Sequence, residues 1–357
     1  MSKILYAAGT MAHINAFHLD YIAALRAEGH EVKVMAKGEG ADYNVAFEKK
    51  MFSLKNLACQ RKIKSILKEE KFDRIFLNTT LAAFNVRFVL PRRKRPFTAH
   101  IVHGFMFTEK CKSLKEKIFR LAERLLAGKT DALLIMNEED RRITERYKLT
   151  RGEVFVTRGM GAKLKPMLLS PEQIRDELSA NGKYLITFVG ELCYAKGQHT
   201  LIELLPRIKT KIPKAALLFV GDGVGAEELA RLAKEKGVEE DVIFTGRREN
   251  AQDYVRAADL YIAPSFKEGL PFNVIEAQGL GKTVIATDIK GQRDLIKDGE
   301  SGYLYTLGDT DRLCELIYGV HSGELSLEEE KIRASYENYS FEAAFPETYR
   351  IISDLAK

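Results

Sequence analysis

Short, mostly apolar runs of four to six residues recur along this chain, with helical patterns between them, and this alternation restricts the fold more than any other feature. In the first half the runs lie at 3–8, 31–36, 73–77, 97–102 and 131–136, with helical stretches at 14–28, 60–71 and 112–127. In the second half they lie at 184–189, 215–220, 241–244, 259–263, 283–286 and 302–305, separated by helical stretches at 198–210, 225–237, 250–257 and 273–280. Such runs read as strands buried on both faces, and strands alternating with helices build parallel, doubly wound sheets. Eleven runs exceed what one such sheet usually holds, and 357 residues suffice for two domains, so two α/β domains are expected.

The boundary falls near Lys165-Pro166, dividing the chain into 1–165 and 166–340. Ser170-Pro171-Glu172-Gln173 then reads as a helix start, with serine as N-cap, proline at N1 and glutamine at N3. After 306 the pattern turns helical, at 309–321, 327–337 and 341–356.

Several classes are excluded. No uncharged apolar run approaches the ~18 residues of a membrane-spanning helix, and the opening segment reads as a buried strand rather than a signal peptide. Cys59, Cys111, Cys193 and Cys314 are far apart with no C-x-x-C, so neither a disulfide framework nor a structural zinc site is expected and a cytoplasmic setting fits. Charge is uneven. Residues 1–165 carry 33 Lys/Arg against 18 Asp/Glu, and residues 166–357 carry 23 against 32, giving +15 and −9 within a net of +6. A basic half suits an anionic membrane, nucleic acid or a phosphorylated substrate. The basic residues lack interleaved aromatics or a nucleic-acid-binding module, which disfavours nucleic acid.

The first strand ends in Ala8-Gly9-Thr10, where a dinucleotide fingerprint would need two more glycines, so a nicotinamide site is disfavoured. Gly9 still lets a ligand approach the strand end. His103-Gly104 follows the run 97–102, and the carboxyl ends of parallel strands are where open α/β sheets bind ligands. His13 and His18, five residues apart at a helix start, are poorly spaced to share a metal, and no metal is expected there. Val189-Gly190-Glu191-Leu192 follows another strand, and Lys196-Gly197 opens the next helix. A lysine there opposes the helix dipole unless an anion shares the site, and helix N-termini with a nearby lysine bind phosphates.

The most informative segment runs from Pro264 to Ala277, from a strand through a glycine loop into a helix. Glu268 lies in the loop. Glu276 lies on an otherwise apolar helix between Ile275 and Ala277, where a carboxylate is costly unless hydrogen-bonded. Two ribose hydroxyls would satisfy it, and the amides at 270–273 would meet a phosphate at the helix start.

With these residues in view, the stretch 260–305 resembles the retaining GT-B glycosyltransferases of the family-four type. The shared pattern is an aspartate five residues before Pro264-Ser265, then Glu268-Gly269-Leu270-Pro271, Glu276-Ala277, Gly281-Lys282-Thr283-Val284-Ile285-Ala286, and a turn through Asp298, Gly299 and Gly302. Phe219–Gly223 and Ile243–Arg247 resemble two further blocks. In the first half His13-Ile14-x-x-Phe17-His18, His103-Gly104-Phe105 and Asn137-Glu138-x-Asp140 are similar to the exopolysaccharide and capsule branch.

The resemblance implies two facing Rossmann-like domains with a deep cleft between them, the nucleotide-sugar donor mostly on the second domain and the acceptor on the first. It also implies that the helix at 341–357 returns to the first domain. It assigns Glu276 to the nucleotide ribose, Glu268 to the donor sugar, Lys196 to the diphosphate, and Leu270, Pro271, Phe272 and Asn273 to the helix start that supports it. Gly9, Gly190 and Gly269 would line the donor site, with base contacts from the 245–250 loop at Gly246 and Arg247. His103 would lie by the transferred sugar, so Glu268, His103 and Lys196 are the candidate catalytic residues. One departure is Glu191, where the family often has arginine. Another is Asn78-Thr79-Thr80, where a histidine is frequent.

The expected activity is retaining hexosyl transfer from a nucleotide sugar, most simply a UDP-sugar. The expected acceptor is a lipid-linked or growing glycan in surface polysaccharide synthesis. No Asp-x-Asp signature appears, and neither a metal nor a resident cofactor is expected. Arg92-Arg93-Lys94-Arg95 and the basic amphipathic stretch 112–127, with His13 and His18, are candidate acceptor or membrane contacts, consistent with peripheral attachment to an anionic inner membrane face. Two alternatives are a non-hydrolysing nucleotide-sugar epimerase, which needs no acceptor, and a non-catalytic partner subunit. The latter would be expected to lack Glu276, Lys196 or His103, and all three are present.

Overall fold

The computed structural model describes residues 1–47 and 53–357. These divide into two compact units, one of residues 1–161 with 341–357 and one of residues 162–340.

In the N-terminal unit β1 (Lys3–Thr10), β2 (Glu31–Lys37), β3 (Tyr43–Asn44), β4 (Arg74–Asn78), β5 (Phe97–Val102), β6 (Ala132–Ile135) and β7 (Glu153–Val156) form one parallel sheet. Its order is β3-β2-β1-β4-β5-β6-β7, so the winding direction reverses between β1 and β4. Ile4 to Ala8 of β1 have no exposed surface, as a central strand covered on both faces requires. β3 and β7 lie outside the apolar runs of the sequence. One is two residues long and the other is a largely exposed edge strand, so neither carries a buried-strand pattern.

The helical stretch at 14–28 is two helices, Met11–Phe17 and Leu19–Ala27, separated at His18 with φ −127° and ψ −6°. The helix Leu114–Leu126 starts at a reciprocal cap, in which Ser113 Oγ accepts from the Glu116 amide and the Glu116 carboxylate accepts from the Ser113 amide. The last helix, Phe341–Ala356, belongs to this unit. Phe345 packs on Tyr21 with ring centres 4.7 Å apart, Thr348 Oγ1 donates to the Gly159 carbonyl, and Ser353 Oγ donates to Glu28.

In the second unit β8 (Tyr184–Val189), β9 (Ala215–Val220), β10 (Val242–Phe244), β11 (Leu260–Ala263), β12 (Val284–Thr287) and β13 (Tyr303–Tyr305) form a parallel sheet in the order β10-β9-β8-β11-β12-β13. The reversal falls between β8 and β11. Its main core packs Phe188, Leu201, Leu205, Phe219 and Ile262 with the helix Thr310–Ser322 through Leu313 and Ile317. Residues 162–165 belong to this unit rather than the first. The Ala162 amide donates to the Tyr339 carbonyl, Gln252 accepts from the Lys165 amide, and Gln252 Nε2 donates to the Lys163 carbonyl.

Candidate functional site

Ligands of doubly wound sheets bind beyond the carboxyl ends of the strands, at the point where the winding reverses. In the second unit that point is reached from β8 through Gly190 and from β11 through the loop 264–271. Gly190 has φ +154°, and a Cβ there would press on the Phe188 ring at 3.1 Å. Lys196 ends a single tight turn, Tyr194–Lys196, just before the helix Gln198–Lys209. Gly197 has φ +75° and lies so close to β11 that a Cβ would stand 2.0 Å from the Pro264 carbonyl oxygen. This contact locks the lysine turn onto the glutamate loop. Across it Lys196 Nζ donates to Glu268 Oε1 at 2.6 Å, with Glu268 nearly buried and Lys196 a quarter exposed.

The loop leads into the helix Phe272–Gly279. Pro271 occupies its N-cap and has no side chain able to accept from the first-turn amides. Leu270 and Pro271 are buried beneath the turn. Asn273 ties the helix start to the end of β8, its Nδ2 donating to the Val189 carbonyl at 2.8 Å.

Glu276 lies one turn into this helix, between the buried Ile275 and Ala277, and is itself partly exposed. Burial pushes its carboxyl up to about 7, a rise that Gln252 and Lys165 offset only in part. Desolvation thus outweighs the hydrogen bond and the positive charge that favour its ionised form. Gly246 and Arg247 follow β10. Gly246 accepts from the Gly221 amide at 3.0 Å, and Arg247 is exposed. Gln252, Lys165 and the tie made by Asn273 were not expected as site elements, since only the folded chain brings them to Glu276 and β8.

In the N-terminal unit the reversal point lies at the ends of β1 and β4. The Gly9 amide donates to Thr79 Oγ1 at 3.0 Å, and Thr79 holds a strained φ of +67°. Asn78 Nδ2 also donates to the Ala7 carbonyl at 3.3 Å, so Asn78 and Thr79 tie the end of β4 to that of β1.

Beside it His13, His18 and His103 converge, with their Nε2 atoms 3.1–3.3 Å apart. His13 and His18, whose spacing reads as poor for sharing a metal, thus lie with their Nε2 atoms 3.3 Å apart. Five residues on a continuous helix would place them on different faces, but the break at His18 turns both toward one point, and the end of β5 brings His103 to it. Among the described residues these three form a set able to hold a metal ion. Burial lowers His13 to about 4 and pushes His18 and His103 well below the usual imidazole range, with neighbouring histidines adding to both.

Two expectations need correction. His18 has no exposed surface and its Nδ1 lies 3.0 Å from Tyr6 Oη, so it cannot contact an acceptor or membrane directly. Arg95 is turned onto Asp131, its Nη2 donating at 2.7 Å, whereas Arg92, Arg93 and Lys94 remain exposed.

Comparison with known proteins matches both units. The profile for glycosyl transferases group 1 matches residues 170–340, and that for glycosyltransferase family 4 matches residues 16–158. The chain is 28% identical to the putative glycosyltransferase EpsD of Bacillus subtilis, over 90% of this chain and 88% of that protein. It is 24% identical to the UDP-Gal:alpha-D-GlcNAc-diphosphoundecaprenol alpha-1,3-galactosyltransferase of Escherichia coli, over 78% and 72% of the two chains. Among solved structures, HepE of Anabaena in complex with UDP and glucose aligns with a TM-score of 0.78 at 18% identity, covering 99% of this chain and 100% of that one. Sucrose-phosphate synthase of Thermosynechococcus elongatus aligns with the same TM-score at 17% identity, covering 99% of each.

Proposed function

The chain belongs to the family-four type of GT-B glycosyltransferases, and on that premise we propose that it transfers a hexose, with retention at the anomeric carbon, from a UDP-sugar to a lipid-linked glycan in surface polysaccharide synthesis. The donor class is supported by the structural neighbour that holds UDP and glucose, and the acceptor class by the diphosphoundecaprenol-linked substrate of the galactosyltransferase. The observation that carries the reading is Glu276. It is a carboxyl raised by burial, one turn from a helix start without a side-chain cap, with the Lys196–Glu268 pair on the adjoining loop.

In this reading Glu276 accepts from the ribose hydroxyls. Lys196 and the amides of the helix start stabilise the negative charge that grows on the diphosphate as its bond to the anomeric carbon breaks. The acceptor oxygen bonds to that carbon on the same face, and its proton passes to a leaving phosphate oxygen. Glu268 orients the sugar and holds Lys196 in place. The lysine and the helix start supply the positive charge, so this step calls on neither a divalent metal at the diphosphate nor a resident cofactor.

The acceptor's lipid would approach the basic N-terminal unit. Leu114, Ile118, Leu121 and Leu125 are exposed along one helix, with Phe88 exposed nearby. A hollow lined by Arg92, Arg93, Arg124, Arg146, Lys148 and Arg151 adjoins the end of that helix. Apolar side chains beside clustered cations suit peripheral attachment to an anionic cytoplasmic membrane face.

The reading is tested by thermal shift against nucleoside diphosphates and nucleotide sugars, with wild type and Glu276→Gln side by side. A ligand at 100 times its Kd adds about 2.7 kcal/mol of stability. Stabilisation of the wild type by UDP and a UDP-sugar, lost in the variant, is the expected result. A wild type indifferent to the whole panel sinks the proposal.

A further inference from the structure

The three histidines of the N-terminal unit meet in a way that hydrogen bonding alone does not satisfy. Nε2 of His18 is 3.1 Å from Nε2 of His103, and Nε2 of His13 is 3.3 Å from each. A neutral imidazole offers either a hydrogen or a lone pair at Nε2, and a hydrogen bond needs one of each. Three atoms in a closed ring cannot alternate. At least one edge must set lone pair against lone pair or hydrogen against hydrogen. A ring proton also points in one direction and serves one neighbour well. Extra protons would set imidazolium rings 3.1–3.3 Å apart, where like charges repel. A metal cation resolves all three edges at once, because three lone pairs can converge on it.

We propose that His13, His18 and His103 form a binding site for a divalent transition metal of the zinc class, with a water in the fourth coordination position. Nitrogens about 3.2 Å apart around an ion at ~2.0–2.1 Å subtend angles of about 100°, close to tetrahedral. The ring orientation is supported from behind. The Tyr6 Oη, 3.0 Å from His18 Nδ1, can accept the Nδ1 proton, which leaves the lone pair on Nε2 where a metal needs it. The ligands come from the helix break and the end of β5, with Tyr6 on β1, so packed elements rather than mobile loops hold the geometry.

An all-nitrogen set selects zinc and its neighbours over magnesium or calcium, which prefer oxygen ligands. This site is therefore of a different kind from a magnesium accompanying a diphosphate. His13 and His103 keep some exposure, giving an ion a way in and a water room to bind.

The test uses the full chain without an affinity tag, stripped by chelator and free of nucleotide sugar, so the donor-site reading plays no part. Zinc is titrated calorimetrically and cobalt by visible absorption. The expected result is one ion per chain, with the intense bands of four-coordinate cobalt. His13→Gln and His103→Gln should each weaken zinc binding by at least ~100-fold, beyond what losing a supporting partner of a ligand costs. Both variants should keep the metal-free melting temperature of the wild type. If both variants misfold, zinc protection of the wild-type histidines from diethylpyrocarbonate decides instead. Absence of stoichiometric zinc uptake, unchanged affinity in folded variants, or absence of that protection overturns the proposal.

Discussion

The Lys196 ammonium is held 2.6 Å from a carboxylate oxygen of Glu268, so two groups separate in the sequence act as one charged unit at the end of β8 and β11. An incoming diphosphate must compete with Glu268 for the lysine. Glu268→Gln should therefore tighten UDP binding several-fold while lowering sugar transfer. Lys196→Ala should weaken UDP and reduce kcat by about 10²–10³, the usual cost of one preorganised charge-stabilising donor. Calorimetry with UDP and a transfer assay with the donor found by thermal shift read both. Unchanged UDP affinity in Glu268→Gln would show that the pair does not gate the phosphate.

Glu276 predicts a pH dependence. Its folded-state value is about 7 against an ordinary 4.5, so the folded chain holds this proton more tightly than the unfolded chain does. Its stabilising contribution is complete at acid pH and is lost as pH rises through about 7. Glu276→Gln should thus stabilise the ligand-free protein at pH 8 by about 2 kcal/mol, after allowing for partial exposure, and change little at pH 4. Binding runs the other way. Ribose hydroxyls need the charged acceptor, so nucleotide affinity should fall as pH drops below about 7 and should be lost in the variant. Melting curves and UDP titrations across this range check both signs.

Arg87 and Glu123 form a buried bidentate pair in the N-terminal unit, with Nη2 to oxygen distances of 2.8 and 2.9 Å. Arg87 also donates to the Ala83 carbonyl and to Thr130. Glu123→Ala strands a buried guanidinium and should cost about 3–5 kcal/mol, whereas replacing both residues with apolar groups of similar volume should cost far less. Urea denaturation of the single and double variants separates the two.

The exposed side chains of Leu114, Leu121 and Leu125 predict membrane attachment that can be removed without touching the donor site. Changing all three to serine should abolish co-sedimentation with vesicles containing anionic lipid and leave UDP binding unchanged. Co-sedimentation that is indifferent to anionic lipid in the wild type would remove this surface from the proposal.

Much of the fold was legible because buried parallel strands are apolar on both faces. β9, with all six residues buried, is unmistakable, whereas β7 pairs at an exposed edge and leaves no such trace. The candidate donor site was legible for a related reason. Glu276 stands out as a carboxylate on an apolar helix, and the glycines around 190, 197 and 269 mark where backbone must come close. The partners of these residues were not legible. Gln252 and Lys165 reach Glu276, and Asn273 reaches β8, only through folding.

The sequence by itself determined two doubly wound units and the strand ends at which their chemistry lies, because strand burial and helix starts are local properties that composition and spacing record. Tertiary structure alone decided what those residues do to one another. It paired Lys196 with Glu268 across 72 positions and brought His103 to His13 and His18 across 90 and 85. The physical reason is that such contacts depend on strand order and on a helix break at one residue, and neither is written in the local pattern of the chain.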